Sequence, residues 1–219
     1  PLADFVLTDR DRYELRIAAL LHDCGKVTTP VHVVDKATKL QTIFDRIELI
    51  DTRFEVLRRD AEIRMLRQIV EGAPREQVEA EFAQFVAKME VDRALLHSSN
   101  IGSERMSDAD IEHVRAIATT YHWHNGVGEE IDFLTSDELE NLTIRAGTLT
   151  QGEREVINHH IEATIMMLEQ LPWPKHLKNV PEYAGGHHER MDGKGYPRGL
   201  KREQMSWQAR MMAIADIFE

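Results

Sequence analysis

The chain has 219 residues and a formal net charge of −11, with 38 Asp and Glu against 27 Lys and Arg. That balance argues against a nucleic-acid polymer or an anionic membrane as partner, yet admits a small phosphate ligand if metal ions supply local positive charge. The 42% hydrophobic and 30% charged content is that of a globular domain, no apolar run nears the ~20 residues of a bilayer span, and the single cysteine, Cys24, excludes an internal disulfide and suits a reducing cytoplasm.

Helical periodicity dominates the chain. Residues 9–24 predict a first helix with Leu15, Ala18, Ala19 and Leu21 as apolar positions, stopped by Gly25. Residues 27–39 read as a loop. Ile43, Ile47, Ile50, Phe54, Leu57 and Ala61 then recur at alternating steps of four and three, and Val78, Phe82, Phe85 and Met89 repeat the pattern beyond a break at Gly72, Ala73 and Pro74. Two such seams predict a long antiparallel helical hairpin, an arm over about residues 42–97. About 28 helical residues would carry it roughly 40 Å. Near its tip Met65, Leu66, Ile69 and Val70 crowd more than one stripe. Such a patch points to a second covering surface, either another copy of the chain or an upstream sensory domain.

Ser107 and Asp110 open a helix running to about His122, and residues 123–147 carry turn signals. Thr150 and Glu153 form a capping box for a helix with Val156, Ile157, His160, Thr164, Met167 and Leu168 on one side, ended by Pro172 and Pro174. A short helix over about 181–189, a glycine-rich loop over 192–200 and a last helix from Ser206 through Ala209, Met212, Ala213 and Asp216 complete the pattern. No methionine opens the chain and Glu219 falls inside a helical pattern. The chain therefore reads as a fragment of a longer cytoplasmic protein, which an upstream segment could anchor to a membrane.

Four places carry chemistry. An apolar helix delivers His22 and Asp23 at its end, and Lys26, three residues on, can share their side and reach a phosphate oxygen. Imidazole nitrogen with carboxylate oxygen suits Mn, Fe, Zn or Ni. His187-His188-Glu189 followed by Asp192-Gly193-Lys194-Gly195-Tyr196-Pro197 sets tandem histidines before a rigid loop where backbone can approach a ligand. Asp216 lies among small and apolar neighbours, where an unpaired carboxylate is unfavourable and a metal is one remedy. On the capping-box helix, His160 shares a side with Ile157 and Thr164, whereas His159 points about 100° away.

The first two motifs together resemble the HD-GYP family, a branch of the HD superfamily of metal-dependent phosphohydrolases. Its pattern is H-D-x-G-K, then H-H-E-x-x-D-G-x-G-Y-P, then a helix carrying A-D. Here these stand as His22-Asp23-Cys24-Gly25-Lys26, as His187 through Pro197, and as Ala215-Asp216. The segment from Asp35 to Leu40 also resembles the family. The resemblance implies an all-α fold, an HD-domain helical bundle with a buried metal centre. Residues 1–40 and 147–219 would form this core, and residues 41–146 a helical insertion outside it.

By the same resemblance the metal ligands are His22, Asp23, His160, His187, His188 and Asp216, with Asp23 bridging two divalent ions, or three in some members, of Fe, Mn, Ni or Zn class. The family continues His-Pro where this chain has His160-Ile161, which leaves His159 as the alternative ligand. The implied activity is hydrolysis of a cyclic dinucleotide, cyclic di-GMP foremost, in bacterial second-messenger signalling. Asp23 and Lys26 would be catalytic, and Lys26, Arg190, Lys194 and Tyr196 would contact substrate. The surface of the G-Y-P loop would also meet a diguanylate cyclase-type partner domain. Two other readings are a phosphohydrolase acting on a different nucleotide and a non-catalytic signalling module. The intact ligand set weighs against the latter.

Overall fold

A computed structural model of the chain describes residues 5–103 and 105–218. The elements run, in chain order, α1 (Asp9–Leu21), a 3-10 turn (Cys24–Thr28), α2 (Val31–Val34), α3 (Ile47–Val70), α4 (Arg75–Ile101) and α5 (Asp108–Thr120). They continue with strands β1 (His122–His124) and β2 (Glu130–Asp132), then α6 (Ser136–Leu142), α7 (Gln151–Asn158), α8 (His160–Glu169) and α9 (Val180–Gly185). A 3-10 turn over Arg202–Gln204 precedes α10 (Trp207–Phe218). The all-α expectation holds, with one small hairpin added. Two compact units result: one runs to Val34 and resumes at Gly152, and the other is Asp35–Gln151.

In the discontinuous unit, Thr8 caps α1. Its hydroxyl accepts from Asp11 N at 3.2 Å while its own N–H donates to the Asp11 carboxylate at 3.0 Å. Ala18, Leu168, Val180, Tyr183, Ala184 and Met212 form the core, drawing on α1, α8, α9 and α10. Glu14 on α1 is buried and accepts from the backbone of Asn179 at 2.7 Å, placing a carboxylate at the positive end of α9.

Helix α1 ends at Leu21, not near residue 24, and Gly25 is not its stop. Gly25 keeps a negative φ inside the 3-10 turn, which packs on α8. A Cβ there would lie 2.0 Å from the carbonyl oxygen of His160 and 2.6 Å from Thr164 N. Its N–H donates to Thr164 Oγ1 at 2.9 Å. The helix expected to open at Thr150 is broken at His159 into α7 and α8. Within α8 the buried stripe runs through His160, Ile161, Thr164, Ile165 and Leu168, so Met167 lies at its edge and is exposed, as is Val156 on α7. Helix α9 is shorter than the expected span, so His187 and His188 follow it in a turn.

In the continuous unit, α3 and α4 pack as the long antiparallel hairpin that the two seams predict. Ile50, Phe54, Leu57 and Ala61 are buried on α3, and Val78, Met89 and Leu96 on α4. Gly72 turns the chain with φ 97, and Ala73 N closes back on Gln68 O at 2.9 Å. Ile43, expected to start the first seam, is 96% exposed. Asp45 is the reason: it accepts from Thr38 Oγ1 at 2.7 Å and Ile47 N at 3.0 Å, folding a tight turn before α3 can begin.

Capping boxes open α5 at Ser107 and Asp110, and α6 at Thr135 and Glu138. Buried Glu138 receives both Arg53 nitrogens at 2.7 and 2.9 Å, and buried Asp92 receives Tyr121 and His113 at 2.6 Å each. The residues from Asp35 to Leu40 belong to this unit. Burial pushes the Lys39 amine down to about 8, and its Nζ reaches Leu142 O at 3.3 Å, at the end of α6, and Ile144 O at 2.7 Å just past it. Among the described residues, no helix is long and apolar enough to cross a membrane.

A methyl group at residue 25 would collide with the backbone of α8. Gly25→Ala is expected to lower stability by about 1–3 kcal/mol in calorimetric unfolding. Gly152→Ala on α7, where a Cβ meets open space, should be neutral or stabilising by up to about 1 kcal/mol. Equal effects at both positions would refute the close approach.

Candidate metal centre

Four segments of the discontinuous unit meet at one place. The end of α1 brings His22 and Asp23, the first residue of α8 is His160, the turn after α9 brings His187 and His188, and α10 brings Asp216. His22 Nε2 lies 3.3 Å from Asp23 Oδ2 and 3.5 Å from Asp216 Oδ1. Asp23 Oδ1 lies 3.2 Å from His160 Nε2 and 3.9 Å from His187 Nε2. His188 completes the cluster, with Nε2 3.3 Å from His160 Nε2 and Nδ1 3.9 Å from Asp216 Oδ2.

Local backbone fixes the imidazoles. His22 Nδ1 sits 2.7 Å from Ala19 O, His187 Nδ1 sits 2.6 Å from Ala184 O, and His160 Nδ1 faces Ile157 O. A carbonyl can only accept, so each Nδ1 carries the proton and each Nε2 presents a bare lone pair to the cluster. The Nε2 atoms of His22 and His187 and Oδ1 of Asp23 are buried without a hydrogen-bond partner. Lone pairs and carboxylate oxygens facing one another repel unless a cation lies between them.

Two overlapping groups have ligand atoms all within 4.8 Å of one another: His160, His187 and His188, and His22, His187 and Asp216. Asp23 lies within 4 Å of both. The residues therefore fit divalent metal ions by donor type and by their orphaned atoms.

The electrostatics agree. Burial pushes Asp23 up, but its charged surroundings, with the Lys26 ammonium donating to it, hold the carboxyl well below the usual range. Burial, then repulsion from His187 and His160, pulls His188 down to about 4, and burial also lowers His187. Both imidazoles are thus neutral at pH 7, the form in which they ligate metal.

His159 points away from the cluster and pairs with Glu162 at 2.8 Å, so the inward histidine is His160. Ile161, in the place of the expected proline, is fully buried. Lys26 Nζ donates to Asp23 Oδ2 at 2.6 Å and is 42% exposed. The Tyr196 ring stacks on His188 at 4.8 Å between centroids. Arg190 pairs instead with Asp192 at 2.9 Å, and Lys194 is exposed. Asp216 is half-buried, with 27% of its side chain exposed, and Ile214 and Ile217 beside it on α10 are exposed.

Comparison with known proteins adds a second line. Two HD domain family models match the chain, one over residues 3–88 and one over residues 135–219. A 3′3′-cGAMP-specific phosphodiesterase of Vibrio cholerae is 38% identical over 80 residues, 36% of this chain and 18% of that protein. A cyclic di-GMP phosphodiesterase of Thermotoga maritima is 35% identical over 80 residues, 36% of this chain and 22% of its own. Both matched stretches are thus HD domain sequence, and the likeness extends to cyclic dinucleotide phosphodiesterases. A further relative, a cyclic di-GMP phosphodiesterase response regulator of Xanthomonas campestris, is 32% identical over 80 residues, 36% of this chain and 21% of its own. The chain spans about a fifth of the length of these curated relatives, and no solved structure matches it.

The sequence motifs alone assign no role to Glu189. It is 4% exposed, and its two carboxylate oxygens accept from Arg198 N and Leu200 N at 2.7 Å each. Gly195 fits against it so closely that a Cβ would lie 2.5 Å from Glu189 Cα. Glu189 thus closes the G-Y-P loop that carries Tyr196 over His188. Its place directly after the tandem histidines was the available signal. Glu189→Gln replaces one acceptor oxygen by a donor facing a backbone N–H. Amide exchange at Arg198 or Leu200 is expected to accelerate by at least about tenfold, for a bond of roughly 1.5 kcal/mol. Unchanged protection of both amides would remove Glu189 from this role.

Proposed function

We propose that this HD-GYP unit hydrolyses a phosphodiester bond of a cyclic dinucleotide, with cyclic di-GMP as the foremost substrate. The observation that carries this reading is the convergence of bare Nε2 lone pairs and two carboxylates on one buried point. His22, Asp23, His160, His187, His188 and Asp216 would hold two divalent ions of Fe, Mn, Ni or Zn class, with Asp23 between them. A third ion would need ligands beyond these six. Such ions make hydroxide available near neutral pH and neutralise phosphate oxygens.

The chain's own groups do the rest. Lys26, anchored by Asp23 and part exposed, would bind a non-bridging phosphate oxygen. Tyr196, held flat on His188, would meet the substrate with its half-buried ring edge. Arg190 and Lys194 would draw an anionic substrate to an otherwise acidic chain. Adding water across the P–O3′ bond yields a linear dinucleotide first. Relatives named for cGAMP as well as for cyclic di-GMP favour one second reading, a mixed cyclic dinucleotide as substrate.

Metal-loaded protein, incubated with a panel of cyclic dinucleotides and followed by chromatography, is expected to linearise cyclic di-GMP fastest. Asp23→Asn should abolish turnover and lower bound metal with helicity intact. Lys26→Met should keep the metal and slow turnover by about 10²–10³-fold, the scale for one lost charge-stabilising donor. Equal metal loss in both variants would show that Lys26 is misassigned.

The hairpin of α3 and α4 is proposed to mediate self-association or to dock on an upstream sensory domain, and the G-Y-P loop to meet a diguanylate cyclase-type domain. At the arm's tip Leu66 and Val70 are exposed and, with Ile63, Arg67 and Glu71, line a shallow cavity of about 270 Å³. Light scattering should show a larger species for the parent than for Leu66→Glu with Val70→Glu. A monomer in both cases would leave the tip without that role in this chain.

A further inference from the structure

Away from the centre described above, ligating side chains gather on the hairpin of β1 and β2. Trp123 anchors it: the ring is half-buried against the core of the continuous unit, with the Arg53 guanidinium 5.7 Å above it. Side chains alternate along a strand, so turning Trp123 inward sends His122 and His124 out together, and both are exposed. The turn fixes the register. Asn125 Oδ1 accepts from Val127 N and Glu129 N at 3.0 Å each, Asn125 N donates to Glu129 O at 2.9 Å, and Gly128 takes φ 85. Asp132 consequently stands opposite His122, and Glu130 opposite His124, both exposed.

Two imidazoles and two carboxylates therefore share one face of a short ribbon. His122 Nε2 and Asp132 Oδ1 already lie 3.5 Å apart. Opposed residues have Cβ atoms about 4.5–5.5 Å apart, a spacing that exposed side chains can close around one ion by rotation alone. Imidazole with carboxylate is the ligand chemistry of zinc and copper, not of calcium or magnesium. We propose that His122, His124, Glu130 and Asp132 form a second metal site, for one divalent ion of the zinc and copper class. The ion would tie the two strands together. A two-stranded ribbon is only marginally stable alone, so occupancy would tighten the hairpin.

Zinc alone, titrated into the full chain with elemental analysis after dialysis, tests this. The parent should hold one zinc more than the His122→Gln, His124→Gln double variant, a difference that does not depend on the first centre's function. Each single variant should weaken that zinc by at least about tenfold, since even outer partners of a ligand cost that much. The imidazole proton signals of His122 and His124 should move on adding zinc to the parent. A chain carrying His187→Ala and Asp216→Ala should keep one zinc. Equal zinc in the parent and the double variant, with imidazole signals that do not move, would overturn the site and leave cross-strand ion pairs only.

Discussion

His22, His160 and His187 are each held by one interaction, an Nδ1–H given to the carbonyl three residues earlier. That bond settles which nitrogen keeps the proton, and thereby aims three Nε2 lone pairs at one point. The rest of the unit serves to present those carbonyls. Helix α1 ends at Leu21, so Ala19 O is available to His22. The break between α7 and α8 leaves Ile157 O for His160, and α9 stops early enough for His187 to reach Ala184 O. A conventional continuation of any of these helices would give such carbonyls to backbone N–H groups instead.

The centre that results is unfavourable by itself. Lone pairs of His22 and His187 and one oxygen of Asp23 are buried without a partner. An unmet buried polar atom costs about 1–3 kcal/mol, and a buried charge more. Burial has opposite consequences for the two residue types. It lowers His187 and His188, keeping them neutral and ready to ligate, whereas for Asp23 it is outweighed by charged surroundings that include the Lys26 ammonium. Neutral imidazoles and an ionised carboxylate in one buried cluster is a metal ligand set before the metal arrives.

Much of this was legible in the sequence, and what was not has identifiable causes. The seams of α3 and α4 and the cap of α5 follow from local rules, side-chain periodicity and short capping bonds, that do not require knowledge of distant residues. The motif resemblance named the cluster from His22 to Asp216, and the face argument placed His160 inward. The failures involve partners that periodicity and capping rules do not reveal. Gly25 looked like a helix stop, but its lack of a Cβ is needed by the backbone of His160 and Thr164 on α8. Met167 was expected inward with His160, but the buried stripe of α8 is centred toward Ile161, Ile165 and Leu168, which leaves Met167 at its exposed edge. Ile43 kept the seam's spacing, yet Asp45 spent its side chain on a turn that ends before the helix begins.

Asp35–Gln151 interrupts the unit that carries the cluster, with His22 and Asp23 before it and His160, His187, His188 and Asp216 after it. Were that stretch a flexible loop, closing it would cost only about 0.6 kcal/mol per doubling of its length. It is not flexible. It has its own core around Phe54, Tyr121 and Phe133, and its buried charges are met internally, Glu138 by Arg53 and Asp92 by Tyr121 and His113. Even Lys39, next to the segment that leaves the metal-bearing unit, finds its acceptors within Asp35–Gln151. A stretch that satisfies its own buried groups asks nothing of the ligands on either side. The two ligand sets are then brought together by the contacts of α1, α8, α9 and α10, and the sequence between them is free to acquire chemistry of its own.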